Sequence, residues 1–193
     1  MPNKNKIVEL LDELSPEAQL IGAVNTVLND NGKLIGYNTD GYGFMQSVRD
    51  AGHDITGKNI TVMGVGGASM AICAQSALDG AASVHIFARR TSRYWNRTQK
   101  FAENLSAKTG CQVCLFDNDD HTALRDSIAQ SYLLINATSV GMVPDIDDTI
   151  IKDTSLFHPE LVVADVVYEP QETRLLREAK AAGCQTFNGM YML

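Results

Sequence analysis

The run Ile60-Thr61-Val62-Met63-Gly64-Val65-Gly66-Gly67-Ala68-Ser69 constrains this chain more than any other stretch, because it reads as a buried strand breaking into a glycine turn and then a helix. Apolar residues precede Gly64. Small and apolar residues follow the glycines at Ala68, Ala71, Ile72, Ala74, Ala77 and Leu78, so a strand and a helix flank the turn as a dinucleotide fingerprint requires. Gly64 permits the tight turn, and Gly66 lets backbone N–H groups approach a pyrophosphate. Gly67, Ala68 and Ser69 open a helix whose amino terminus offers partial positive charge to an anion. Ser69 replaces the third glycine of the G-x-G-x-x-G spacing, and without the flanking strand and helix such a spacing is a plain turn.

A second strand, Ser83-Val84-His85-Ile86-Phe87-Ala88, ends in Arg89-Arg90-Thr91, about where a Rossmann unit places an acidic residue for a ribose 2′-hydroxyl. Two guanidiniums there pair bidentately with a 2′-phosphate, which tilts the chemistry from NAD toward NADP. The bland alternative for the Arg pair is a solvated basic turn.

The rest of the chain continues the same alternation. A helix over 94–108 and a strand over 113–116 complete β-α-β-α-β, the first half of a doubly wound sheet. The second half follows as a helix over 121–130, strands over 132–136 and 161–167, a helix over 173–182 and a strand over 184–187. These strand runs are continuous and β-branched, as expected of a parallel sheet buried on both faces. The fold class is therefore α/β, a doubly wound, Rossmann-like parallel sheet.

Ahead of it, Ile7, Leu10, Leu11 and Leu14 fall at helical spacing and predict a helix over 4–14. Ser15-Pro16-Glu17 closes that element and can open a short helical turn. Two apolar runs, 22–28 and 33–38, flank Asn29-Asp30-Asn31-Gly32 and read as a hairpin, and a helix runs from Gly41 to about Ala51.

Composition excludes several classes. A formal net charge of −7 over 193 residues disfavours nonspecific nucleic-acid binding. No apolar run reaches membrane-spanning length and the start lacks a basic-then-apolar leader, which leaves a cytoplasmic address as the default and no membrane partner. Cys111 and Cys114 spell C-x-x-C, but a strand there would point them to opposite faces, and no second cysteine or histidine pair completes a tetrahedral set. Free thiols are expected, with no metal site. His53, His85, His121 and His158 are scattered and read as structural.

Read together and in order, six motifs carry a family. They are Pro2-x-Lys4, Gly22-Ala23-Val24-Asn25-Thr26, Gly36-Tyr37-Asn38-Thr39-Asp40-Gly41, the glycine turn, Asn136-Ala137-Thr138-Ser139-Val140-Gly141-Met142 and Asp165-Val166-Val167-Tyr168-Glu169-Pro170. The chain closely resembles the shikimate dehydrogenase family over essentially its whole length, with the start and the Arg89-Arg90 pair most like the quinate/shikimate branch. The resemblance implies reversible hydride transfer between a nicotinamide dinucleotide and 3-dehydroshikimate or shikimate, with quinate as a further candidate substrate. NADP is slightly favoured over NAD, and a homodimer is one assembly open to the chain. Residues 1–40 would be a remnant of a substrate-binding domain and 41–193 the dinucleotide-binding domain.

By that resemblance Lys4 is the acid/base on the reacting oxygen and Asp40 its partner. Asn25 and Tyr168 meet substrate. Gly64, Gly66, Gly67, Ala68 and Ser69 line the pyrophosphate, Arg89, Arg90 and Thr91 the adenosine ribose, and Thr138, Ser139, Gly189 and Met192 the nicotinamide. The sequence departs from the family at Ala88, where many members carry Asn, and at Thr91, where the dual-cofactor branch has Asp; the missing carboxylate weakens an NAD preference. Measured against the family, the upstream Ser-x-Ser region and a downstream glutamine fall outside the sequence. The expectation is an exposed sheet edge, a frayed Lys4 and impaired turnover. The alternative function is a noncatalytic nucleotide-binding or interaction protein derived from such an enzyme.

Overall fold

The structure, a computed structural model, describes residues 3–192, so the Met1-Pro2 opening of the first family motif lies outside the described residues. Near the amino terminus the expected helix over 4–14 does not form. A single 3-10 turn, Ile7–Leu10, gives way to strand β1 (Glu13–Leu14). Helix α1 (Pro16–Ile21) follows, with Ser15 accepting from the Ala18 amide and the left-handed Gly22 closing it. Strands β2 (Thr26–Asp30) and β3 (Lys33–Tyr37) form the anticipated hairpin. Its turn residues Asn31 and Gly32 both have positive φ, 51° and 96°, the two-residue turn that matches strand twist.

The failed helix has a tertiary cause. β1 pairs in parallel with β3, and the Asp12 carboxylate accepts from the Leu34 amide at 2.7 Å, so this segment satisfies the β3 edge instead of its own helix. Leu11 and Leu14 close over Gly36, where an added Cβ would lie 2.5 and 2.9 Å from their methyl groups. Leu10, the fourth member of the apparent stripe, is 75% exposed. Tertiary pairing thus overrode the helical period.

Helix α2 (Asp40–Asp50) leads to β4 (Asn59–Met63), α3 (Gly67–Leu78), β5 (Ser83–Ala88), α4 (Trp95–Thr109), β6 (Gln112–Asp117) and α5 (His121–Gln130). Then come β7 (Leu133–Asn136), β8 (Val162–Asp165), α6 (Arg174–Ala181) and β9 (Gln185–Asn188), with a last 3-10 turn over Gly189–Met192. The large sheet has the order β6-β5-β4-β7-β8-β9 and every pairing in it is parallel. The chain winds outward one way from β4 and then returns to wind the other way from β7. That reversal opens a crevice at the carboxyl ends of the two central strands.

Both faces of this sheet are covered, which explains the unbroken apolar runs. β7 and β8 are buried at every position. One core packs Ile60, Val62 and Ile135 with α2, α3 and α4, while Leu134, Val163, Leu175 and Leu176 form the other. The small sheet stands differently: every residue of β2 is exposed, including Val27 and Leu28, as the expectation of an open edge required.

All four cysteines are free. Burial pushes the Cys73 thiol up to about 12 and, with the neighbouring Cys114, Cys111 up to about 11, so neither is a thiolate at neutral pH. His53 stacks on Phe187 and meets Tyr132 Oη at 2.8 Å, and His85 meets Ser127 Oγ at 2.8 Å, packing roles consistent with the structural reading. Among the described residues no helix is long and apolar enough to cross a membrane, and no group of three or more His, Cys, Asp or Glu is placed to hold a metal ion.

Candidate active site

The glycine turn begins where β4 ends. Gly64 has φ +112° and donates its N–H to the Phe87 carbonyl at 2.8 Å. A Cβ there would lie 2.8 Å from Thr138 Cγ2 and 2.9 Å from the Ala137 carbonyl, so only glycine lets the turn press against the end of β7. Gly66 caps α3, and an added Cβ at Gly66 or Gly67 would meet nothing within 4 Å. Both glycines border open space. The amides of the first helical turn have no carbonyl partner within the helix and remain as donors to an anion. Ser69 works from beneath: it is wholly buried, and its hydroxyl donates to the Gly64 carbonyl at 2.6 Å. Its side chain braces the turn and offers no surface to a ligand.

A cavity of about 230 Å³ lies on one side of the turn, lined by Lys4, Asp40, Gly66 and Gly67 together with Asn5 and Arg97. The Lys4 ammonium donates to Asp40 Oδ2, with the two side chains 26% and 23% exposed. Asn25 Nδ2 donates to the other carboxylate oxygen at 2.8 Å, and Asn25 Oδ1 accepts from the Thr39 amide at 3.0 Å. Asn25 is thereby committed to holding Asp40. The Lys4 backbone is held too, its carbonyl accepting from the Val24 amide at 2.8 Å. The anticipated fraying of Lys4 is therefore not what the structure shows.

A second cavity, about 780 Å³, opens on the other side of the turn and contains Gly64, Gly66, Arg89, Thr91, Thr138 and Ser139. Arg90 does not join it; its guanidinium lies 4.6 Å from the Trp95 ring centre. The Arg pair is split because successive residues beyond a strand end diverge, so one guanidinium faces the crevice and the other lies over the Trp95 ring at the start of α4. Arg93 and Asn118 also line this cavity, and Tyr94 lines both cavities. None of the three was anticipated. Arg93 was signalled as a third arginine in the same turn, and Asn118 by its place just beyond the carboxyl end of β6.

Thr138 and Ser139 form a ridge. On its far side a third cavity of about 340 Å³ is lined by the same two residues, Met142, Val166 and Tyr168, the last 45% exposed. Gly189 and Met192 line none of these three cavities. A Cβ on Gly189 would lie 2.3 Å from the Val166 carbonyl, and Met192 packs against the main core. Below the ridge Asp165 is wholly buried, and burial pushes its carboxyl up to about 6 despite donors from Val167, Thr173 and Asn136.

Comparison with known proteins points to one family. Residues 1–27 match the family described as the shikimate dehydrogenase substrate binding domain. A shikimate dehydrogenase (NADP(+)) of Listeria innocua is 50% identical over the whole chain, which spans 66% of that relative's length. A quinate/shikimate dehydrogenase of Escherichia coli is 42% identical over the whole chain, which covers 67% of it. The crystal structure of a shikimate 5-dehydrogenase from Listeria monocytogenes, in complex with shikimate and NAD, superposes with a TM-score of 0.97 at 49% identity, covering 100% of this chain and 66% of that one.

Proposed function

The chain belongs to the shikimate dehydrogenase family, and from that premise we propose that it binds NADP, and NAD less tightly, for reversible oxidation of shikimate to 3-dehydroshikimate. The observation that carries the proposal is that Lys4 and Asp40, from the amino-terminal segment, line the same cavity as Gly66 and Gly67 of the large sheet. Proton-transfer groups and anion-binding amides thus share one space. When bound, a nicotinamide dinucleotide supplies or accepts the hydride; the protein supplies everything else.

The residues present suit such a group. Unpartnered amides at the start of α3, over glycines bordered by open space, receive a pyrophosphate. Arg89 and Arg93 in the adjoining cavity meet a 2′-phosphate, and neither Ala88 nor Thr91 brings a carboxylate that would favour a free ribose hydroxyl. Thr138, Ser139 and Tyr168 border the nicotinamide end. Residues 1–40 form the substrate side and 41–193 the dinucleotide side.

Lys4 hydrogen-bonds the reacting oxygen, donating a proton to it on reduction and recovering the proton on oxidation. Its ammonium also offsets negative charge developing on that oxygen. Asp40 fixes the ammonium, and Asn25, which already spends its amide on Asp40, fixes the carboxylate; ring hydroxyls of the substrate reach whichever lone pairs these groups leave free. The test is a turnover assay on the chain with shikimate and with quinate, each with NADP and NAD, beside calorimetric titration of both dinucleotides. Lys4→Ala is expected to lower kcat by about 10²–10⁴-fold while NADP affinity stays within about twofold. Unchanged kcat in that variant overturns the role of Lys4, and absence of dinucleotide binding overturns the proposal as a whole.

A further inference from the structure

Asn118 has a side chain that the fold leaves unused. It stands one residue beyond β6, and its backbone amide donates to the Ala88 carbonyl at 2.9 Å, which fixes it beside the end of β5. No side-chain hydrogen bond links it to any described residue, and its Oδ1 is also closed to water. Such an orphaned oxygen is costly in a folded chain, and a ligand donor would satisfy it. The last torsion of an asparagine is soft, so turning the amide edge toward a ligand costs little.

The surroundings narrow what that ligand group is. Asn118 and Ile150 line the second cavity with Arg89 and Arg93, and the same two residues line a further cavity of about 480 Å³ whose walls include Leu124, Ile151 and Leu156. They form the partition between a cationic space and an apolar one. Ala88 and Asp117 are register partners, so Asn118 begins about 4.8 Å outward of Arg89. In NADP the 2′-phosphate and the adenine hang from neighbouring ribose carbons, so a 2′-phosphate at Arg89 brings the base within that distance. Ile150 offers an apolar surface to the purine face. Along one edge adenine carries an amine donor at N6 and an acceptor at N7, side by side, and a primary amide answers both at once.

We propose that Asn118 reads the adenine of the dinucleotide, with Oδ1 accepting from the N6 amine and Nδ2 donating to N7, and so sets the base specificity of the site. This rests on the cofactor proposal above. Hypoxanthine presents two acceptors along the same edge, O6 and N7, so neither orientation of the amide can satisfy it fully.

The experiment measures dissociation constants for NADP, for its deamino analogue, in which hypoxanthine replaces adenine, and for NAD. The unsubstituted chain is expected to favour NADP over the deamino analogue by about tenfold. Asn118→Leu should bring that ratio to within about twofold and weaken NADP and NAD by the same factor, because it leaves the phosphate contacts in place. It also removes an unpaired buried oxygen, so its urea midpoint without ligand should not fall; if it does not fold, Asn118→Ala is read in the same way. Arg89→Ala should keep the base preference. Equal affinity of the unsubstituted chain for NADP and the deamino analogue overturns the assignment, and is the result that a contact to a ribose hydroxyl would give. A base preference that survives in Asn118→Leu overturns it as well. Failure of the unsubstituted chain to bind either NADP or NAD sinks the cofactor proposal, and this one with it.

Discussion

At the scale of single residues, the proposed function casts Arg89 as the first determinant of cofactor choice, because Arg90 is engaged with Trp95 while Arg89 faces the crevice beside Arg93. A guanidinium on a 2′-phosphate is a charge-assisted contact absent from NAD. Arg89→Ala is therefore expected to weaken NADP by about 10–100-fold and NAD by less than about threefold, whereas Arg90→Ala should leave the ratio unaltered. Titration of both dinucleotides into both variants checks this, and a larger loss with Arg90→Ala would reverse the assignment. Asp165 supplies a pH prediction. Its folded pKa of about 6 lies above the ordinary carboxylate value, so the folded state holds the proton more tightly than the unfolded one. The group's contribution is most favourable at low pH, declines as pH rises from about 4 to about 6, and is constant above that. Relative to Asp165→Asn, the unsubstituted chain should lose about 3 kcal/mol of stability across that window, measured as urea-unfolding free energies at matched pH. A difference that does not vary with pH would mean that the three hydrogen-bond donors just cancel the effect of burial, and one that grows with pH would mean that they outweigh it.

At the scale of elements, much was readable because the signals were local and redundant. The three glycines of the turn, at positive φ or in open space, the strand runs buried on both faces, and the Asn31-Gly32 turn each impose a conformation on their own neighbours, and each appears in the structure. What was unreadable depended on partners distant in sequence. The leucines of 4–14 keep helical spacing, but only the edge of β3 and the space over Gly36 decide that the segment extends. Ser69 sits in the fingerprint, yet its rotamer is fixed by the Gly64 carbonyl, which turns it under the loop. Arg90, Gly189 and Met192 occupy positions that the family resemblance assigns to the cofactor, and their packing against Trp95, Val166 and the main core could not be read from spacing. Gly41 gives the element-scale prediction. At the crossing of α2 and α3 a Cβ there would lie 2.2 Å from the Ala71 carbonyl, a backbone atom that cannot swing aside. Gly41→Ala should destabilise the fold by about 1–3 kcal/mol despite alanine's better helix propensity, seen as a lower urea midpoint at unchanged slope. A raised midpoint would show that the helices separate at little cost.

Across the whole molecule, the site lies on a seam. The small sheet is built from residues before Asp40 and the large one from residues after Gly57, yet Leu20, Ile21 and Ala23 belong to the same core as Ile60 and Val62. Lys4 and Asp40 approach the glycine turn from the first side, and the amides of α3 approach from the second. A ligand gripped from both sides stabilises the two sheets together, whereas one held by the large sheet alone leaves the small sheet free to open by itself. Hydrogen exchange separates these cases. At NADP concentrations about 100 times its dissociation constant, linkage adds about 2.7 kcal/mol, so amides that exchange through global opening should slow by about 100-fold. The expectation is that peptides covering β3 slow by the same factor as peptides covering β4, because the shared core makes α1, α2 and the hairpin part of one cooperative unit. Slowing confined to β4, β5 and β7 would instead mean that the lysine side of the cleft opens without the cofactor side. The Lys4–Asp40 pair would then form and open independently of the dinucleotide.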